Sequence, residues 1–181
     1  DVYKRQPVDW NPAEKRFNWE LVYCELYAGG KYKNDDGGDY EYSLGLNGLG
    51  ACATQYASEY MDVTVWRDGN KYTLHFAKGK IKGKMLVEPS DRKKAGTTTR
   101  WKPDIEVFTD INIPESYFLD ILRRQAVVNA GVTFRFRAQH GAKFETTEFC
   151  YKNGIADYVA ELAGESPLTQ PYYIETERKG K

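Results

Sequence analysis

With 181 residues, 41% of them hydrophobic and 29% charged, the chain has the make-up of one globular domain, or of one domain plus the start of another, and not of a disordered or fibrous protein. Its 26 Lys plus Arg balance 26 Asp plus Glu, so a formal charge of zero gives this segment no electrostatic means of gripping duplex DNA by itself. No run of about 18 apolar residues exists to cross a membrane as a helix, and no signal peptide is visible.

Two features predict a piece of a longer protein. The chain opens without Met, and residues 1–6 (DVYKRQ) read as a translated sequencing adapter, to be set apart from the fold. The last ten residues, YYIETERKGK, read as a strand entering a turn.

Pro7 to Asn18 is polar and turn-rich. Trp19 to Tyr27 has apolar residues at helical spacing and meets Gly29-Gly30, which predicts a short helix ended by glycine. Lys31 to Tyr40 is a polar loop rich in Gly and Asp. Ser43 to Gly50 (SLGLNGLG) is a glycine turn, and Ala51 to Met61 follows at once as a helix. Asp62–Trp66 and Lys71–Phe76 alternate on either side of Asp68-Gly69-Asn70, a hairpin signal.

Lys78 to Val87 adds a further strand, Pro89 to Ala95 a charged loop that reads as a solvated surface, and Gly96 to Trp101 a β-branched strand. Pro114 to Asn129 is the best helix. Pro114 suits its first turn, and Tyr117, Leu119, Ile121, Leu122 and Val127 form its buried stripe. Val132–Arg137 and Glu145–Tyr151 form a second hairpin around Gly141. Ile155 to Leu162 is a short helix, followed by a loop with Pro167 and Pro171 and the final strand. The sum is an α+β fold: a two-layer sandwich whose mixed, mostly antiparallel sheet carries helices on one face.

Cys24, Cys52 and Cys150 are far apart with no CxxC pair, which disfavours zinc and favours free thiols packed as small buried residues in a reducing cytoplasm. His75 and His140 have no Cys, Ser or acidic triad context and are not read as catalytic.

Chemistry concentrates at Gly45, Gly48 and Gly50. Glycines allow positive φ and let backbone N–H groups approach oxygen, while the helix that follows points its free N–H groups at the same place, as a phosphate requires. The order G-x-x-G-x-G is neither the dinucleotide fingerprint nor a Walker A loop. On the glycines alone, a plain tight turn that starts a helix is the commoner outcome. Lys31, ahead of the turn, suits a terminal phosphate, although most lysines in such loops are merely solvated. Tyr40 has the equally ordinary fate of packing on a sheet edge.

The ordered combination is more telling. LYAGGKY, then DYEYSLGLNGLGACATQYAS, AGTTTRWKPDIEVF, LRRQAVVNAGVTFRFR and FCYKNGIADYV resemble, in unbroken order from about Pro7 to the end, the later part of the ATPase domain of bacterial type IIA DNA topoisomerase B subunits, the gyrase B and topoisomerase IV B family. The resemblance implies an incomplete GHKL, or Bergerat, ATPase fold. It assigns 7–154 to the C-terminal part of that domain and 155–181 to the start of the transducer domain.

Carried over by position, Lys31 matches the lysine on the ATP phosphates, and Tyr40 the tyrosine beside the adenine. Gly45, Leu46, Asn47, Gly48, Leu49 and Gly50 match the phosphate loop at the hinge of the ATP lid, and Thr97 the threonine near the adenine's polar edge. Tyr27 replaces the usual His before Ala-Gly-Gly, Leu44 replaces the first Gly of the loop, and Asn47 replaces His but still donates a hydrogen bond.

The family's general-base Glu, its magnesium-holding Asn and its adenine-binding Asp lie before Pro7, so no catalytic or metal residue is assigned within this chain. The resemblance further implies ATP and Mg2+ as cofactors, dimerisation on ATP binding, a topoisomerase A subunit as partner, DNA held through other domains, and a cytoplasmic protein with no membrane association. Two rivals remain. One is another GHKL ATPase of mismatch-repair, chaperone or histidine-kinase type, which shares the glycine box but not the later blocks. The other is a non-catalytic binding domain.

Overall fold

The structure, a computed structural model, describes residues 7–28, 48–93, 95–169, 172 and 174. The expected final strand and the first six residues lie outside this set. The chain divides into two compact units, Asp1–Ile111 and Asn112–Lys181.

In the first unit the turn-rich opening holds a miniature antiparallel hairpin, β1 (Trp10–Asn11) and β2 (Arg16–Phe17). The Asn11 carboxamide makes the turn. Its Oδ1 accepts from the backbone N–H groups of Ala13 and Glu14, at 3.1 and 3.2 Å, and its Nδ2 donates to Asn18 at 3.0 Å. Helix α1 (Asn18–Cys24) follows, burying Trp19, Leu21, Val22 and Tyr23. It stops short of the expected end at Tyr27, because Glu25 is already extended and Tyr27 has φ +61°.

Helix α2 (Gly50–Tyr56) is also shorter than expected. Ala57 breaks it, and Ser58 opens β3 (Ser58–Arg67), so Ser58 to Met61 is strand and not helix. The reason is tertiary. Met61, Val63 and Val65 alternate into the core, and β3 is paired on both sides, which outweighs the local helical tendency of ASEYM.

Strand β4 (Asn70–Ala77) returns through Asp68 and Gly69, both at positive φ (+52° and +72°), as a two-residue turn between twisted strands requires. The expected single strand over Lys78–Val87 is two short ones, β5 (Lys80–Ile81) and β6 (Leu86–Pro89), each paired with β4 and separated at Gly83. On the other side of β3 lies β7 (Gly96–Pro103), with Val65 opposite Thr97, Val63 opposite Thr99 and Met61 opposite Trp101. Every strand pairing among the described residues is antiparallel.

Directly opposed residues share a sheet face. One face therefore carries Met61, Val63, Val65, Leu74 and Phe76, and α1 covers it with Val22, Tyr23 and Trp19, joined by Val8. Phe76 sits between two rings, 6.1 Å from Trp19 and 5.7 Å from Tyr23. The opposite face is polar, with Asp62–His75 at 2.9 Å and Lys71–Glu88 at 3.1 Å. At the end of β7, buried Asp104 ties the strand to the α2–β3 junction. Its N–H donates to Ala57 O at 3.0 Å, and its carboxylate accepts from the N–H of Glu106 at 2.9 Å.

The second unit is an α-β-β-α unit: α3 (Glu115–Val128), the hairpin β8 (Phe134–His140) with β9 (Lys143–Phe149), and α4 (Ile155–Ala163). Its small core joins Ala126, Val127 and Tyr151, flanked by Phe134, Phe149 and Tyr158. Pro114 is the residue before α3 and not within its first turn. Of the expected stripe, Val127 is buried and Leu119 and Leu122 are half-buried, but Tyr117 and Ile121 are exposed. The hairpin meets α3 along a narrow face, and that face is centred on Ala126 and Val127. Arg123 bridges the Tyr151 hydroxyl and the Glu161 carboxylate. Cys150 is exposed, against the expectation of burial, while Cys52 is buried and Cys24 half-buried; all three are free.

Candidate nucleotide site

Lys31, Tyr40, Gly45, Leu46 and Asn47 lie outside the described residues, and the candidate site is built here from Gly48, Leu49, Gly50 and Thr97. Gly48 has φ +63°, the left-handed region where a side chain is disfavoured, so this is a position the backbone reserves for glycine. Leu49 then takes helical angles, and its carbonyl accepts the Ala53 N–H at 2.9 Å, which starts α2. No side chain caps α2 at this end. The space around Gly50 is open: an added Cβ meets nothing within 4 Å.

Behind the glycine turn, Ala51 packs against the core that lies on the helix-bearing face of the sheet. Thr97 projects from β7 on that same face, opposite Val65, and is half-buried. The glycine turn and Thr97, more than forty residues apart in sequence, thus lie on one side of the sheet.

Tyr23 also faces this side, and its place in the sequence pattern gave no hint of it. Burial pushes its phenol up to about 12, and a hydrogen bond with the Thr99 side chain opposes the rise. Burial, then the neighbouring Cys52, then Glu20, push the Cys24 thiol up to about 11, which leaves it a weak nucleophile. Tyr56 donates to the Cys24 carbonyl at 3.4 Å and so joins the ends of α1 and α2.

Contrary to the expectation from sequence, both histidines have carboxylate partners. His75 pairs with Asp62, and His140 lies 3.3 Å from Glu115. His75 is on the polar sheet face, away from the glycine turn. No cluster of three or more potential metal-binding side chains occurs among the described residues, and no described helix is long and apolar enough to cross a membrane.

No protein-family model matches the chain. The B subunit of DNA topoisomerase 4 from Salmonella typhimurium is 32% identical to it over 168 residues, covering 92% of this chain and 26% of that protein. The B subunit of DNA gyrase from Thermus thermophilus is 32% identical over 170 residues, covering 93% of this chain and 26% of that one. Among solved structures, the 43K ATPase domain of Thermus thermophilus gyrase B, in complex with an aminocoumarin, superposes with a TM-score of 0.69 at 27% identity, over 88% of this chain and 38% of that one. The chain belongs to the gyrase B and topoisomerase IV B family.

The topoisomerase IV ATP-binding domain of Francisella tularensis shares the fold, with a TM-score of 0.69 at 23% identity over 97% of this chain and 44% of that one. The chain spans about a quarter of the length of these curated family members (26%). The α+β sandwich is that of part of the gyrase B ATPase domain.

Proposed function

We propose that this chain is part of the ATP-binding domain of an ATP-dependent type II DNA topoisomerase B subunit. In this reading residues 7–154 are the C-terminal part of that domain, 155–181 begin the transducer domain, and 1–6 are not native. Lys31 contacts the phosphates, Gly45 to Gly50 wrap them with backbone N–H groups, Tyr40 lies beside the adenine and Thr97 meets its polar edge. The observation that carries the reading is the left-handed backbone at Gly48, directly before α2 and on the same sheet face as Thr97.

Such a site binds ATP through fixed amide dipoles rather than through chemistry of its own. Hydrolysis needs a positioned base to activate water and a cation to offset phosphate charge. The family supplies both from residues before Pro7, and the described residues here offer no ligand set for magnesium. This chain alone therefore binds weakly or not at all and does not turn over, while the intact protein hydrolyses ATP.

In the intact enzyme, ATP binding favours a closed dimer of these domains that traps a DNA segment, and product release reopens it. DNA and the A subunit are engaged by other domains, in the cytoplasm. The test is titration of a fluorescent ATP analogue into the complete domain and its Gly48→Val variant. Affinity is expected to fall at least about tenfold, a loss of roughly 1.4 kcal/mol; equal affinities count against the phosphate-loop assignment.

A further inference from the structure

The base end of the site carries a second pair of hydroxyls. Thr97 and Thr99 project from the same face of β7, two residues and roughly 7 Å apart along the strand. Opposite Thr99 stands Val63, which is 0% exposed, yet Thr99 itself is exposed. The helix cover therefore ends across this register, and Thr99 borders open space beside Thr97. From beneath, Tyr23 is 2% exposed and its hydroxyl is hydrogen-bonded to the Thr99 side chain.

A buried, neutral phenol must place its proton on an acceptor, and a threonine hydroxyl offers one donor and two acceptor sites. With the Tyr23 proton on one lone pair, Thr99 retains its own O–H and a second lone pair for a group lying over the strand. A flat heterocycle with alternating donors and acceptors along its edge is such a group, and apolar residues at these two positions would offer it nothing.

We infer that Thr99, oriented by Tyr23, is a further base-recognition residue that hydrogen-bonds the edge of a purine base next to the contact made by Thr97. This rests on the ATP-site reading above. Thr99 is the contact, and Tyr23 is a positioning residue that acts through it.

The experiment measures, by calorimetry on the full-length protein, the affinities for ATP and for inorganic tripolyphosphate, which has the phosphates without the base. Thr99→Val, which keeps a β-branched shape on the strand, is expected to weaken ATP by about three- to tenfold, the size of one neutral hydrogen bond, and to leave tripolyphosphate unchanged. Tyr23→Phe weakens ATP no more than Thr99→Val, and the double variant is no weaker than Thr99→Val alone, because one acts through the other. Gly48→Val weakens both probes. If Thr99→Val moves both probes alike, or neither, while Gly48→Val still weakens both, the base contact is overturned and the site stands. If Gly48→Val moves neither, the site reading itself falls.

Discussion

Tyr23 gives the fold a measurable response to alkali. Its phenol titrates near 10 in an unfolded chain and is pushed up to about 12 here, chiefly by burial. Below pH 10 the phenol is neutral in both states, and its contribution to stability is complete. Between pH 10 and about 12 only the unfolded chain ionises, so the unfolded state gains and that contribution is lost. The gap is worth about 3 kcal/mol. Tyr23→Phe removes this response but also removes the hydrogen bond to Thr99, at a cost of about 1 kcal/mol at neutral pH. The two unfolding curves must therefore cross. The variant is about 1 kcal/mol less stable at pH 8 and about 2 kcal/mol more stable at pH 12. Urea unfolding followed by tryptophan fluorescence at pH 8, 10, 11 and 12 reads the difference directly, because every other titrating group, including Cys24, is common to both proteins. Stabilities that stay parallel across this range would refute the buried, neutral phenol.

Phe76→Ala should cost about 3–5 kcal/mol, since the ring is 2% exposed and wedged between Trp19 and Tyr23, whereas Phe76→Leu should cost less than about half of that; equal midpoints for the two in a urea titration would contradict the packing described. In the second unit, an added Cβ at Gly154 lies 3.0 Å from the Val127 carbonyl at φ +58°. Gly154→Ala should lower the melting temperature and accelerate proteolysis within α3 or α4, while Gly141→Ala, which meets nothing within 4 Å, should show only the smaller cost of its own positive φ.

Much of the fold is legible in the residues. The Asp68-Gly69-Asn70 turn, the alternation of Val63 and Val65, and the glycine start of α2 are local rules written in local sequence, and each element lies where its pattern lies. Ser58 to Met61 reads as helix because the decisive force is pairing with β7, some forty residues on, which no window around Met61 contains. The split of β5 from β6 hangs on the positive φ of Gly83, a conformation that a single glycine permits without requiring. At the site, Gly48 and Thr97 announce themselves through motif order, whereas Tyr23 and Thr99 do not. A tyrosine in an amphipathic helix and a threonine in a β-branched run are ordinary, and only the register that sets Thr99 over α1 gives them a shared role.

The ladder between β3 and β7 has a further meaning for the chain. Sliding β7 by a single residue along its neighbour would invert its parity, turning Thr97 and Thr99 outward and thrusting Arg100 and Lys102 toward Val63 and Met61. No modest rearrangement lies between the two arrangements, since a guanidinium in that interior is prohibitively unfavourable. The apolar side of one strand thereby dictates, without touching any ligand, which hydroxyls its neighbour presents.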